Sequence, residues 1–166
     1  MADQMNLKPV AVACDHAGYG LKLLILEHLR SRGVPYRDFG CDSAKSCDYP
    51  VFACRAGRAV ASGECRLGIL ICGTGAGISI AANKVKGVRC AACSEPYSAQ
   101  MAREHNDANM IAFGARVVGP DLAFMITDTF LKTKFMSDHP NHVRRVGLIK
   151  RMDAGDDIGN LTGGRA

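Results

Sequence analysis

Tryptophan is absent from the sequence, and other aromatic residues are few: four tyrosines and six phenylalanines among 166 residues. No apolar run is long enough to cross a membrane, which argues against a membrane protein. No run of lysine and arginine is interleaved with aromatic residues, and the formal net charge is only +5. We therefore expect neither a nucleic-acid nor a membrane partner, whereas a small anionic ligand suits the modest positive charge.

Eight cysteines are present, a number that would indicate disulfides in a small secreted protein. Residues 1–8 lack the charged start and apolar run of a signal peptide. Cys14, Cys72, Cys90 and Cys93 fall in apolar segments, where a free thiol behaves as a small hydrophobic group. The last two form a CxxC, but on a strand they point to opposite faces, and no second pair has zinc-finger spacing. We therefore expect a reducing, cytoplasmic setting, no metal and no cofactor.

Short apolar segments alternate with segments of helical periodicity along the chain. The predicted strands cover residues 10–14, 35–39, 67–72, 89–93 and 109–113, and the predicted helices end near residues 32, 62, 84, 105, 134 and 152. Strands that are apolar throughout are typical of parallel sheets covered by helices on both faces. The pattern predicts a three-layer α/β/α fold with a doubly wound, five-stranded parallel sheet of the Rossmann or flavodoxin-like type.

The end of the chain differs in composition from the rest. Residues 1–152 are predicted to form one domain, whereas residues 153–166 are rich in glycine and aspartate and are expected to be disordered. A polar stretch at 137–140 precedes the last predicted helix. That helix either folds back on its own chain or packs on a second subunit.

The segment LGILICGTGAGISIAA, residues 67–82, places Cys72 where a buried strand gives way to a glycine-rich loop and a helix. In a flavodoxin-like sheet, ligands bind between the first and third strands, beyond their carboxyl ends. The loops that leave those strands contain Asp15-His16 and residues 72–77. Because these are the most chemically active segments of the chain, we expect the site to lie between them.

The glycine loop GTGAG does not match a nucleotide-binding motif. Ile78 stands where the dinucleotide fingerprint needs its third glycine, and no glycine-lysine-serine/threonine follows. What remains is a short nest of N–H groups at a helix start, suited to an oxyanion or a small phosphate. Beside it, Cys72 is either a buried structural cysteine or a thiolate favoured by the helix end.

His105 ends the helix that begins near Glu95, and a helix of that length spans about 16 Å. Because crossover helices run antiparallel to the strands, this histidine is expected at the opposite edge of the sheet from Cys72. It then either serves the cleft of a partner subunit or is a polar helix terminus stabilised by the dipole. Arg116, Arg144 and Arg145 are candidate phosphate ligands, since a guanidinium binds a phosphate in bidentate fashion.

Three further segments complete a pattern: DHAG at 15–18, DYP at 48–50 and CSEPYSAQMAREHNDANMIAFGARVVG at 93–119. Together with the segment around Cys72, they make the chain resemble ribose-5-phosphate isomerase type B over residues 10–146. The resemblance implies a sugar-phosphate isomerase domain that interconverts ribose 5-phosphate and ribulose 5-phosphate without a metal. It further implies a homodimer, or a tetramer built of dimers, with shared active sites.

The resemblance also implies roles for individual residues. Catalysis would involve Cys72, Thr74, Asp15 and His105, with Cys72 as the base and His105 of the other subunit opening the sugar ring. Substrate binding would involve Asp15, His16, Tyr49, Gly73, Thr74, Gly75, Ala76, Gly77, Asn106, Arg116 and Arg145. One departure is Asn141, because the family usually has arginine four residues before the position of Arg145; His139, His142 or Arg144 are candidates to compensate.

Three alternative functions remain at this point. The first is an isomerase of a six-carbon sugar phosphate, such as galactose 6-phosphate or allose 6-phosphate. The choice between five- and six-carbon substrates depends on the depth of the pocket, which sequence motifs do not reveal. A dinucleotide-dependent oxidoreductase is disfavoured by Ile78. A sugar-phosphate sensor without activity is disfavoured by the complete set of acid and base residues.

Overall fold

The computed structural model describes residues 8–161. Five parallel strands form one sheet in the order β2-β1-β3-β5-β4. The strands are β1 (Val10–Cys14), β2 (Tyr36–Asp38), β3 (Leu67–Cys72), β4 (Cys90–Ala92) and β5 (Met110–Gly114). The helices are α1 (Tyr19–Ser31), α2 (Tyr49–Ala61), α3 (Ala76–Ala82), α4 (Pro96–Asn106), α5 (Pro120–Lys132) and α6 (Pro140–Asp153).

Helices cover both faces of the sheet, which confirms the predicted three-layer fold. Side chains of β1 alternate between the two cores: Val10, Val12 and Cys14 face one side, and Ala11 and Ala13 face the other. Helices α1, α4 and α5 pack on the first side, and α2 and α3 on the second. Both faces of β1, β3 and β5 are therefore buried, as their apolar sequences predict.

The strand order differs from the flavodoxin-like order 2-1-3-4-5 on one side of the sheet. β1 and β3 are neighbours, as predicted, but β5 lies next to β3 and β4 takes the edge. In its central position β5 has all five residues buried, whereas in β4 at the edge Cys90 and Ala91 are half-buried and Ala92 is exposed. The predicted site between β1 and β3 is unaffected.

Helix α6 folds back on its own chain. Val146 is buried, the helix packs against α4, and the Asp153 carboxylate accepts a hydrogen bond from the Gly87 N–H at 3.1 Å. Its packing on a second subunit stays a prediction. Residues 154–161 form turns, with an ion pair between Arg151 and Asp156, and the predicted disorder of residues 162–166 lies outside the described residues. Within residues 8–161, no helix has the length and apolarity that spanning a membrane requires.

Candidate active site

The carboxyl ends of β1, β3 and β5 meet at one edge of the sheet. Cys14 is in register with Ile71, and Cys72 with Gly114. The Asp15 N–H donates to the Ile71 carbonyl at 3.2 Å, so the first loop begins beside the buried Cys72. The two segments expected to form the site are therefore adjacent.

The loop after β3 closes tightly around the Cys72 thiol. Its Sγ accepts a hydrogen bond from the Gly75 N–H at 3.1 Å. Gly75 has φ +82°, and a Cβ at this position would lie 2.9 Å from the backbone of Phe113. The left-handed backbone of Gly75 therefore directs a backbone N–H at the sulfur atom of Cys72.

Gly75→Ala is expected to lower the free energy of unfolding by about 2–3 kcal/mol, because the residue needs a left-handed backbone and has no space for a methyl group. The matched control is Gly73→Ala, where a Cβ would meet nothing closer than 3.6 Å. Urea denaturation of both variants checks the expectation. Equal losses in the two variants would contradict it.

The DHAG segment holds Asp15 and His16 in defined orientations. The buried Asp15 carboxylate accepts hydrogen bonds through Oδ1 from the N–H groups of Ala17 and Gly18, at 3.0 and 3.1 Å. His16 accepts one at Nδ1 from the Cys47 N–H at 3.2 Å. An acceptor at Nδ1 leaves the proton of a neutral imidazole on Nε2, which is then available to donate to an anion.

Thr74, Tyr49 and Arg116 lie around the same glycine loop. The Thr74 hydroxyl accepts a hydrogen bond from the Ala76 N–H at 3.4 Å, at the start of α3. The Tyr49 ring lies against Gly77, where a Cβ would come within 2.9 Å of a ring carbon. The Arg116 guanidinium lies over Gly73, whose carbonyl accepts the Arg116 N–H at 3.1 Å. A thiol, an aromatic ring and a cation therefore surround the loop.

His105 and Asn106 lie at the opposite edge of the sheet. The next residue, Asp107, is bonded to Arg89 just before β4, and this marks the amino end of the strands. Cys72 lies at the carboxyl end, beside Gly114. The length of β5 between these two edges is about 13 Å, at about 3.3 Å per residue. The predicted separation of His105 and Cys72 within one chain is confirmed.

His105 belongs to a second group of charged and aromatic side chains, between α4 and α6. Its ring stacks on His142 with centroids 4.3 Å apart, and His142 contacts His139 at 4.2 Å. Desolvation lowers the pKa of His142, and the nearby His139, His105 and Arg145 lower it further. Arg145 thus lies with the histidines and apart from the glycine loop.

Asn106 faces a cavity of about 360 Å³ beside this second group. The cavity is walled by β4, α4 and the end of α6, including Ile149 and Met152. One chain therefore holds the predicted site residues in two groups. Cys72, Thr74, Asp15, His16, Tyr49 and Arg116 lie at one edge with the 73–77 loop, and His105, Asn106 and Arg145 lie at the other.

Two contributors to the site were not found in the sequence. Gly114 allows the loop to pack closely, since a Cβ there would lie 2.6 Å from the Thr74 backbone, and a glycine ending an apolar strand is the signal that could have shown it. Cys47 orients His16 through a backbone N–H. That contact has no signal in the residue types, because any residue except proline can supply it. In the described part of the chain, no cluster of three or more His, Cys, Asp or Glu could hold a metal ion.

The chain is a doubly wound α/β domain, of the class in which ligands bind at the switch point of the sheet. At that point it has the Cys72 thiol, the glycine loop and the Arg116 guanidinium. A family model described as Ribose/Galactose Isomerase matches residues 10–149, and the chain belongs to this family.

Individual relatives agree with this assignment. Ribose-5-phosphate isomerase B of Escherichia coli is 50% identical over 147 residues, covering 89% of this chain and 97% of that protein. Galactose-6-phosphate isomerase subunit LacB of Clostridium acetobutylicum is 41% identical over 144 residues, covering 87% and 81%. A solved structure of ribose-5-phosphate isomerase B from Clostridium thermocellum has a TM-score of 0.86 at 50% identity, covering 89% of this chain and 98% of that one.

Proposed function

We propose that the chain is an aldose–ketose isomerase that interconverts ribose 5-phosphate and ribulose 5-phosphate in the non-oxidative pentose phosphate pathway of the cytoplasm. The observation that carries the proposal is the Cys72 thiol, which accepts the Gly75 N–H at 3.1 Å at the switch point of the sheet. The 50% identity to ribose-5-phosphate isomerase B of Escherichia coli supports the choice of reaction.

Cys72 is the base in the proposed mechanism. As a thiolate it removes the proton from C2 of the open-chain aldose, and the electron pair moves toward the carbonyl to form an enediolate. The 73–77 backbone and Thr74 donate hydrogen bonds to the developing oxyanion, which supplies the preorganised charge stabilisation that the step requires. The O2 hydroxyl then gives its proton to O1, the electron pair on O2 forms the C2 carbonyl, and the Cys72 thiol returns its proton to C1 to give the ketose. The chain's own donors carry the charge, so the mechanism needs no metal.

The second group of residues completes the site from a partner subunit. His105 lies at the amino end of the strands and Cys72 at their carboxyl end, so the length of β5, about 13 Å, separates the two edges and keeps both residues from contacting the reacting end of one sugar. In a homodimer with shared sites, His105 of one subunit opens the sugar ring bound by the other, with Asp15 and Asn106 at the ring hydroxyls. A tetramer composed of two such dimers has the same sites.

The phosphate is held by three cationic or donor side chains. His16 presents Nε2–H because its Nδ1 is occupied by the Cys47 N–H. Arg116 lies over Gly73, and the partner contributes Arg145. Asn141 supplies no charge where the family usually has arginine. His142 lies beside Arg145 and stacks on His105. It is therefore the side chain that could donate a hydrogen bond to the phosphate in place of the arginine missing at position 141.

A comparison of substrates tests this proposal. The second candidate is a six-carbon sugar phosphate, favoured by 41% identity to a galactose-6-phosphate isomerase subunit. We expect kcat/KM to be at least about tenfold higher for ribose 5-phosphate than for allose 6-phosphate or galactose 6-phosphate, since one extra carbon is worth about 1–3 kcal/mol in a fitted pocket. A preference for either hexose phosphate in a coupled spectrophotometric assay would assign the enzyme to that substrate instead.

A further inference from the structure

The isomerase mechanism does not use the thiols of Cys14, Cys41 and Cys47, which lie next to the loop that contains Asp15 and His16. The Sγ atoms of Cys14 and Cys41 are 3.6 Å apart, and both residues are buried. The Cys41 N–H donates to the Cys14 carbonyl at 3.2 Å. This pairing sets a backbone separation of about 5 Å, as between neighbouring strands, which lies inside the range that a disulfide spans.

The surrounding contacts fix this pair in place. The buried Lys22 ammonium donates to the Cys41 carbonyl and to the Asp38 carboxylate, each at 2.7 Å. Gly40 packs so closely on β1 that a Cβ there would lie 2.8 Å from the Cys14 nitrogen. Formation of an S–S bond of about 2.05 Å therefore requires the two sulfur atoms to move together by only about 1.5 Å.

Cys41, although buried, reaches an open cavity. It lines this cavity, of about 340 Å³, together with Cys47, Lys45 and Arg55. Cys14 does not line this cavity, and burial and the neighbouring Cys41 thiol raise the pKa of the Cys14 thiol. Cys41 is thus the thiol that reaches both the cavity and Cys14.

We propose that Cys14 and Cys41 form an oxidative modification site, which closes to a disulfide when a peroxide enters the cavity. The Cys41 thiolate attacks one peroxide oxygen, so that the O–O bond breaks, a sulfenic acid forms and one water leaves. The Cys14 sulfur then attacks the sulfenic sulfur, the S–O bond breaks, and a second water leaves with the remaining thiol proton. Two electrons pass from the two thiols to the peroxide.

The disulfide acts on the phosphate-binding end of the site. Cys14 directly precedes Asp15 and His16, and the segment from Cys41 to Cys47 provides the N–H that orients the His16 ring. Drawing Cys41 onto Cys14 moves this segment and weakens the His16 contact with phosphate. This second step rests on the proposed function, whereas formation of the disulfide does not.

Peptide mapping of peroxide-treated protein tests the site. Trypsin cleaves after Arg37 and Lys45, so Cys41 and Cys47 fall in different peptides. The Cys72→Ala background prevents oxidation at the base, and Cys54→Ser, at a half-buried thiol outside the pair, is the control. We expect a dithiothreitol-sensitive link between the peptides that carry Cys14 and Cys41. It should persist in the control and disappear in Cys14→Ser and Cys41→Ser.

Failure to recover this link, or links to Cys47 alone, would overturn the proposed site. In the same Cys72→Ala background, where binding of ribose 5-phosphate should remain measurable, we expect peroxide to raise Kd about tenfold, as for the loss of one hydrogen bond to a charged group, but not when Cys14→Ser is added. An unchanged Kd with the link present would overturn the coupling to His16. If ribose 5-phosphate is not a substrate, the peptide map still decides the site.

Discussion

Cys72→Ala is expected to lower kcat for ribose 5-phosphate by about 10²–10⁴-fold, the contribution that a positioned general base makes. Binding of the sugar phosphate should remain measurable, because the phosphate contacts proposed for His16 and Arg116 do not involve the thiol. Steady-state kinetics gives the loss of turnover, and calorimetric titration with ribose 5-phosphate gives the affinity of the variant.

Cys93→Ala is the matched control for this variant. Cys93 is as buried as Cys72. It directly follows the last residue of β4, whereas Cys72 is the last residue of β3. Its surroundings differ, however, since burial and Glu95 raise the pKa of the Cys93 thiol to about 11. We expect this variant to keep turnover near that of the unmodified enzyme. Turnover of Cys72→Ala within about twofold of the unmodified enzyme would refute the assignment of Cys72 as a general base.

His105→Asn is expected to reduce turnover of the cyclic substrate by about 10²–10⁴-fold, because asparagine occupies a similar space but cannot transfer a proton. His105 lies at the opposite edge of the sheet from its own Cys72, so the two residues of one site would come from different chains. A site built from two chains can be restored by mixing two inactive variants.

Mixing equal amounts of Cys72→Ala and His105→Asn subunits should therefore recover activity. In a two-fold symmetric dimer, half of the randomly formed dimers are hybrids, and one of their two sites has both residues, so about a quarter of the full activity is expected. Native mass spectrometry shows whether the subunits have exchanged. Exchange without recovered activity would count against a site shared between subunits.

The sequence predicts the site best where local and long-range requirements agree. β3 is apolar throughout and ends at Cys72, where the glycine loop begins, so its bounds and the position of the thiol follow from the pattern. The opposite placement of His105 also follows, because helix length and antiparallel crossover are properties of the fold class.

Other features depend on contacts that residue types do not encode. The place of β5 between β3 and β4 depends on strand pairing across the sheet, which the order of segments along the chain does not reveal. The contact between Cys47 and His16 uses a backbone N–H, and the fit of Gly114 against Thr74 depends on how two loops meet. The return of α6 to its own chain rests on a bond between Asp153 and Gly87, residues far apart in sequence.

Isotope exchange tests most directly whether Cys72 moves the proton between the two carbons. In D₂O, the enediolate mechanism predicts that the unmodified enzyme forms ribulose 5-phosphate with deuterium at C1 and returns ribose 5-phosphate with deuterium at C2. NMR or mass spectrometry of both sugars reports it. Cys72→Ala should incorporate deuterium at neither carbon above the uncatalysed rate, and incorporation by this variant at the rate of the unmodified enzyme would contradict the account.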